Sequence, residues 1–570
     1  MRLRRSAALC ALFVWSAATA AVAQVDNVVT VVSAANAIGN VPQPSSLGAF
    51  GYDALNDRIY VAGFSNGDQE LRRIDNLSGP QSVTTQVFAT PWLRFTRDND
   101  LTLSGGSPTP SSLLLNPLPI GSAPAYSFAW IADAASVVTM GSGTLAVRYP
   151  EKSQRLYSYN LGQSSGPIAT DVFTSQLTLA QFQTAAGQPA SSTTSNIGRQ
   201  PAWSGDGQSL YFIDTSTQFG GIWKIAGGGS AAPVRLLNTN VDLNTEPAVL
   251  SAGGVDTIFF RGGGTTGNVG GIDKVTHDGT STGTRTVHVS AAAINDFLEN
   301  TGTATITTFS MTSDSAGNLY FNNTADIGGR SRGIYKLDPA GRLVKVLGYE
   351  ERRAAFNPGN TGNPNANTLR MQVRATNYTN GSVSFPVTQI LYGESSATNF
   401  AGANQIAGAF VFKTGDFDRD DDVDPADIAL FKSALELRGA RVLNGTIAAD
   451  QPRLSFDLNG NNEVTWKDVK ILQQFYGFLD GDADINKTVD IGDFSVLASS
   501  FNATAKKWTE GDFTGDEIVG IGDFSLLAAN FNQSVPSSAA RPGAVPEPTS
   551  ACSVLMSAAI VGRRRRVPAR

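Results

Sequence analysis

Four times between Gly415 and Asn532, short oxygen-bearing side chains recur at alternate positions, and this recurrence constrains the chain more than any other feature of its 570 residues. The runs begin at Asp416, Asp457, Asp482 and Asp512. Positions 1, 3, 5 and 12 of the first are Asp416, Asp418, Asp420 and Asp427, and of the second Asp457, Asn459, Asn461 and Asp468. The third has Asp482, Asp484, Asn486 and Asp493, and the fourth Asp512, Thr514, Asp516 and Asp523. Position 7, which offers its backbone carbonyl, is Asp422, Glu463, Thr488 and Ile518 in turn. Position 9 often acts through water, so Asp424 is a further ligand, and Thr465 and Gly520 are tolerable there. A hard cation that takes six to eight oxygens needs this density of short side chains on a tight turn, and Ca²⁺ is the ion expected, up to four in number. Magnesium keeps its waters and seldom uses an all-protein cage.

The segment holds 22 acidic and 10 basic residues, whereas the rest of the chain is slightly basic and the total charge is −6. Nothing in that balance supports binding to nucleic acid. After each position 12 the apolar period becomes helical. Phe494, Leu497 and Phe501 align with Phe524, Leu527 and Phe531, and the text from Ile491 nearly repeats from Ile521, a period of 30 residues. The first two repeats offer Ile428, Phe431 and Leu435, then Val469, Leu472 and Tyr476. Position 8 is Val every time and suits a short strand bridge between paired loops.

A calcium loop followed by one helix resembles the dockerin type I repeat, here in two tandem pairs over about 415–476 and 480–532. The resemblance implies a small α-helical, EF-hand-like calcium module (414–534) that binds a cohesin-like surface protein. Two features depart from it. Position 6 is Asp421, Asn462, Lys487 and Glu517 where Gly is usual, and a left-handed Lys or Glu costs roughly 1–2 kcal/mol. Calcium affinity is therefore expected at the extracellular level, about 10⁻⁴ to 10⁻³ M. Positions 10 and 11, where cohesin-binding dockerins often carry hydroxyl residues, are Pro-Ala, Trp-Lys, Ile-Gly and Ile-Gly.

Both ends read as addresses. Residues 1–23 have Arg2, Arg4 and Arg5, an apolar core from Ala7, and Ala21-Val22-Ala23 before Gln24, the pattern of a secretory signal peptide. After a linker (535–544), residues 545–570 carry Val545-Pro546-Glu547-Pro548, a short apolar run and Arg563 to Arg566. That order resembles the PEP-CTERM sorting signal. It implies transient membrane anchoring through the tail, processing by an exosortase-like enzyme, and delivery to the cell surface or extracellular matrix.

Residues 24–413 read as a mainly-β N-terminal domain, with short alternating strands broken by Gly, Asn, Ser and Pro. Glycine, 58 of 570, fits a turn-rich protein. Pro201-Ala-Trp203-Ser-Gly-Asp206-Gly through Gly221-Ile-Trp223-Lys-Ile forms a strand–turn unit that returns near Asp53, Val255 and Gly317. It resembles the WD40-like blade of TolB-type β-propellers, which implies a propeller of six or seven blades. Cys10 and Cys552 are the only cysteines, so neither a disulfide framework nor a Cys-ligated zinc site is available between them. His277 and His288 have no zinc-site spacing and no Gly-x-Ser-x-Gly partner, and read as ordinary surface or strand histidines. Glu350-Glu351-Arg352-Arg353 reads as an exposed charged loop, and Trp130, Trp203 and Trp223 as packing between blades. The function expected is non-enzymatic binding or structure at the cell surface. The alternative is a polysaccharide-active hydrolase or lyase tethered through the calcium module, with polysaccharide as the other expected partner.

Overall fold

The computed structural model describes most of residues 27–86 and 179–536, together with isolated strands between 101 and 175. Residues 1–26, 87–100 and 537–570 lie outside the described residues, as do several internal segments, among them 190–200, 239–245, 300–309, 324–332, 357–366, 396–404 and 437–453. The signal-peptide and sorting-tail segments, and the side chain of Trp130, are therefore outside them too. The chain divides into two compact units, Met1–Tyr476 and Gly477–Arg570.

Strand β1 (Val28–Val32) is set apart from its sheet by most of the first unit. Five blades then follow, each made of four antiparallel strands in chain order. The first is β2–β5 (Ala49–Asp53, Arg58–Ser65, Asp68–Asp75, Ser82–Gln86). Next come β6 (Leu101–Leu103), β7 (Leu114–Leu115), β8 (Tyr126–Asp133), β9 (Val138–Met140), β10 (Gln154–Leu161) and β11 (Phe173–Ser175). Of these, β7, β8, β10 and β11 form the second blade, while β6 and β9 pair separately. Helix α1 (Leu179–Ala186) leads to the third blade, β12–β15 (Ala202–Trp203, Leu210–Asp214, Gly221–Ile225, Val234–Leu237). The fourth is β16–β19 (Ala248–Ala252, Val255–Arg261, Ile272–His277, Arg285–Val289), followed by helix α2 (Ala291–Phe297). The fifth is β20–β23 (Met311–Ser313, Leu319–Asn323, Gly333–Leu337, Leu343–Gly348), followed by helix α3 (Tyr349–Phe356).

A last four-stranded sheet closes the ring. Strands β24 (Asn367–Asn380), β25 (Val383–Ser395) and β26 (Gln405–Val411) receive β1 on the edge of β26, with Val28 opposite Ala409. The propeller has five blades, where the sequence reading expected six or seven, and this closing sheet is a further four-stranded sheet of the unit. First strands of neighbouring sheets lie side by side: β2 beside β7 and β24, β16 beside β12 and β20, and β20 beside β24. Pairing the two ends of the propeller in one sheet removes a free edge and holds the ring without a disulfide.

The core lies between sheets. Tyr211, Ile213, Ile222 and Leu236 of the third blade meet Val249, Ile258, Phe260 and Val275 of the fourth. Val32, Phe50, Ile59 and Ile74 meet Leu391 and Ile406 where the closing sheet joins the first blade. Stacking covers both faces of the inner strands, so Leu210–Asp214 and Leu319–Asn323 are buried at every residue. Turn carboxylates hold the blade corners. Asp314 accepts from Ala316 N at 3.0 Å and Asn318 N at 2.9 Å, and Asp338 does the same for Ala340 N and Arg342 N. Trp223 is fully buried and stacks on Phe212 of the neighbouring strand in the same blade, with centroids 6.2 Å apart.

One expectation fails. Glu350 to Arg353 belongs to helix α3, and Glu350, Glu351 and Arg352 are buried. Their charges are matched inside the protein: Arg352 Nε reaches Glu394 Oε2 at 3.0 Å and Glu351 meets the Lys345 ammonium at 3.1 Å. A dense charge run is exposed only when nothing of opposite sign is buried beside it.

The acidic segment carries helices α4 (Pro425–Glu436), α5 (Trp466–Tyr476), α6 (Ile491–Ser500) and α7 (Ile521–Asn530), one behind each loop. The first loop pair belongs to the propeller unit and the second pair forms the other unit. Among the described residues no helix is long and apolar enough to cross a membrane.

Candidate metal centres in the acidic segment

Each of the four loops is built on the same hydrogen bonds. The carboxylate at position 12 accepts two backbone N–H groups with Oδ1 and one with Oδ2. Asp427 takes Phe417 N (2.6 Å), Asp418 N (3.0 Å) and Asp424 N (2.9 Å). Asp468 takes Leu458 N (2.7 Å), Asn459 N (3.3 Å) and Thr465 N (2.7 Å). Asp493 and Asp523 repeat the arrangement from Ala483, Asp484 and Asp490 and from Phe513, Thr514 and Gly520. The carboxylate at position 1 gathers the amides of the turn itself. Asp416 Oδ1 receives Arg419 N at 2.7 Å, and Asp512 receives Gly515 N at 2.8 Å and Glu517 N at 2.9 Å. The side chain at position 5 accepts from the amide of position 7, as Asp420, Asn461, Asn486 and Asp516 do for Asp422, Glu463, Thr488 and Ile518.

These turns demand left-handed backbone at positions 4 and 6. Asp421, Lys487 and Glu517 at position 6 have φ of 75°, 73° and 63°, as the sequence reading anticipated. Position 4 is equally left-handed. Gly460 and Gly515 fill it in two loops, but Arg419 (φ 66°) and Ile485 (φ 57°) fill it in the others. A β-branched residue there is a true outlier.

The geometry gathers carboxylates in three of the loops. Oxygens of Asp416, Asp418 and Asp427 lie within 4.8 Å of one another, and so do those of Asp422, Asp424 and Asp427. The same holds for Asp482, Asp484 and Asp493 and for Asp512, Asp516 and Asp523. Asp418 Oδ1 is buried and makes no hydrogen bond. Burial pushes the Asp416 carboxyl up to about 6, and burial with the neighbouring Asp493 pushes Asp482 up to about 7. Asp493 and Asp512 are raised by burial as well. Such crowding of like charges is relieved by a hard cation, and the oxygen-only donor set fits Ca²⁺. In the second loop Asp457 and Asp468 are the only carboxylates at positions 1, 3, 5, 9 and 12, and the Asn459 and Asn461 amides donate to Glu299 of the propeller, the former at 3.1 Å. Burial and the adjacent Asp457 raise Asp468 well above the usual carboxylate range.

Two features differ from the sequence reading. In the second pair the position 8 valines do not bridge loop to loop. Val489 pairs with the segment after α7 (N to Gln533 O, 2.9 Å), and Val519 with the segment after α6 (N to Ala503 O, 3.1 Å). The helical stripe is only half buried. Leu497 and Leu527 are inside, while Phe494, Phe501, Phe524 and Phe531 are exposed, with the Phe494 and Phe524 rings 6.5 Å apart. In the first pair Ile428, Phe431, Leu435, Val469 and Leu472 are buried. Lys345 and Glu299 had no sequence signal, because each lies more than a hundred residues from the loop it touches.

No curated protein sequence matches the chain. Among solved structures, it is similar to the alpha-L-arabinanase of Penicillium chrysogenum complexed with arabinobiose, at 10% identity and a TM-score of 0.36 over 68% of this chain and 97% of that one. It is similar to a putative TolB from Agrobacterium tumefaciens at 17% identity and a TM-score of 0.30, over 53% and 80%. It is also similar to the WD40 domain of Toxoplasma gondii coronin at 9% identity and a TM-score of 0.30, over 71% and 90%. Residues 414–475 match the Dockerin type I domain family, so the first loop pair is a dockerin type I domain carried behind a β-propeller.

Proposed function

We propose that this is an exported cell-surface or extracellular-matrix protein with a non-enzymatic binding or structural role, whose calcium-ordered module docks a cohesin-like partner through its second loop pair. The observation that carries this reading is the duplicated apolar face of α6 and α7. Ile491 is 66% exposed and Ile521 72%, each beside the half-exposed Phe494 and Phe524. These isoleucines occupy loop position 10, at the start of helices that calcium would order. Exposed apolar groups at equivalent places on two repeats are costly in water and gain by being covered. Residues 1–23 would be removed on export, and residues 545–570 would hold the chain at the membrane until an exosortase-like enzyme cuts near Pro546.

The test is a binding assay with an isolated cohesin module in calcium and in chelator, using the full chain and the double variant I491D/I521D. Calcium-dependent capture that the double variant loses supports the reading. Capture that survives both chelator and the variant overturns it. Release of sugar from a polysaccharide panel by the same protein would favour the tethered-enzyme alternative.

A further inference from the structure

The second loop differs from the other three in what faces it. Counting positions 1, 3, 5, 9 and 12, the first loop has five aspartates, the third four, the fourth three and the second two. It also has a cation of its own. Lys345, on the outer strand β23, is buried to 3% side-chain exposure and sends its ammonium to Leu454 O (2.7 Å), Glu351 (3.1 Å) and Asp457 at position 1 (3.6 Å). The ammonium thus donates to one backbone carbonyl and lies within ion-pair distance of two carboxylates.

The rest of the loop is held from the same side. Lys345 N donates to Leu458 O at 2.8 Å, which extends the outer edge of the fifth blade by one backbone pairing. Glu299 receives the side-chain amides of both Asn459 and Asn461. Lys467 Nζ meets Asp296 at 2.8 Å, Arg342 donates to Gln474 O at 2.8 Å, and its guanidinium lies 4.2 Å over the Phe475 ring. Gly460 has φ 83°, and a Cβ there would lie 2.8 Å from the Tyr335 hydroxyl.

We propose that the second loop is closed by the Lys345 ammonium instead of by calcium, and that it serves as the joint fixing the dockerin domain to the fifth blade. Affinity in such loops follows ligand charge. Here the loop has the fewest carboxylates and already has a positive charge on one of them. The inference rests on the calcium reading of the other three loops, and the experiment separates the two.

Equilibrium dialysis of the full chain against calcium counts bound ions, and amide hydrogen exchange in calcium and in chelator locates them. Three ions are expected, with chelator speeding exchange at least tenfold in 482–493 and 512–523 and less than twofold in 457–468. Four ions, or calcium-dependent protection within 457–468, would overturn the proposal while leaving the calcium reading intact. No bound ion would sink both. As a second measurement, K345M should speed exchange across 454–476 in calcium while leaving 491–530 unchanged, and unchanged exchange across 454–476 would refute the joint.

Discussion

Lys487 and Glu517 occupy the same loop position with opposite charges, which allows backbone strain and electrostatics to be separated. Both are left-handed, at φ 73° and 63°. Both place their backbone in the loop's hydrogen bonds. Lys487 N donates to Asp482 at 2.7 Å and its carbonyl receives Val535 N at 2.8 Å. Glu517 N donates to Asp512 at 2.9 Å and its carbonyl receives Lys506 N at 3.1 Å. Glycine keeps all four bonds. It relieves about 1–2 kcal/mol of left-handed strain and gives back roughly 0.5–1 kcal/mol through the freer unfolded chain. K487G and E517G should each stabilise the calcium-free module by about 0.5–1 kcal/mol. For a module of this size that is a rise in melting temperature of roughly 2–8 °C. Calcium affinity should split the pair. Removing a positive charge near a divalent ion tightens binding and removing a negative one weakens it, each by a fewfold after screening. Differential scanning calorimetry in chelator and a calcium titration read the two effects separately. If both glycine variants melt lower than the parent, the strain argument is wrong. If both shift affinity the same way, the charge argument is wrong.

Stability without calcium should fall as pH rises. Asp416 and Asp482 have folded values near 6 and 7, raised by burial above the 3.8 of an unfolded Asp, so the folded state binds the extra protons. Their contribution is full below about pH 4 and is lost by about pH 7, and thermal melts in chelator across that window should show it, with calcium flattening the curve. In the propeller, Arg352 and Glu394 form an ion pair in which each side chain is 1% exposed. E394Q should destabilise that domain by about 3–5 kcal/mol, because the guanidinium is left buried against a neutral group. Urea denaturation measures it, and a loss under 1 kcal/mol would mean the pair is solvated.

What the sequence made legible follows the range of the interactions. The loops depend on spacing within twelve residues, and their hydrogen bonds match that spacing at every position 12. Blade phrases around Trp203 and Gly317 were likewise local. The left-handed position 4 could be inferred only where Gly460 and Gly515 stand, because Arg419 and Ile485 give no sign of it. Helix α3 was misread because the partners that bury its charges, Lys345 and Glu394, come from other strands. The ring closure escaped notice for the same reason, since Val28 meets Ala409 across almost the whole domain. The exposed half of the α6 and α7 stripe shows the converse limit. Periodicity marks an apolar face, and does not say whether the protein has anything to cover it with.

Two glycines test how tightly the dockerin domain sits on its blade. Gly341 and Gly460 share one conformation, φ 82° and 83°, so an alanine at either carries the same backbone cost of about 1–2 kcal/mol. They differ in surroundings. Nothing lies within 4 Å of a Cβ at Gly341, whereas at Gly460 it would meet the Tyr335 hydroxyl at 2.8 Å and its ring carbons at 3.3 and 3.4 Å. Tyr335 is itself 1% exposed and held edge-on by Phe297 at 5.9 Å, so it has no room to retreat. The clash must therefore be relieved by moving the loop, which strains the Lys345–Asp457 contact and the backbone bond at Leu458. G460A should lose more stability than G341A by about 1–3 kcal/mol, the usual range for overpacking, and its excess should appear as faster amide exchange across 454–476. Equal losses in the two variants would mean that the loop rests loosely on the blade, and the joint would then depend on charge alone.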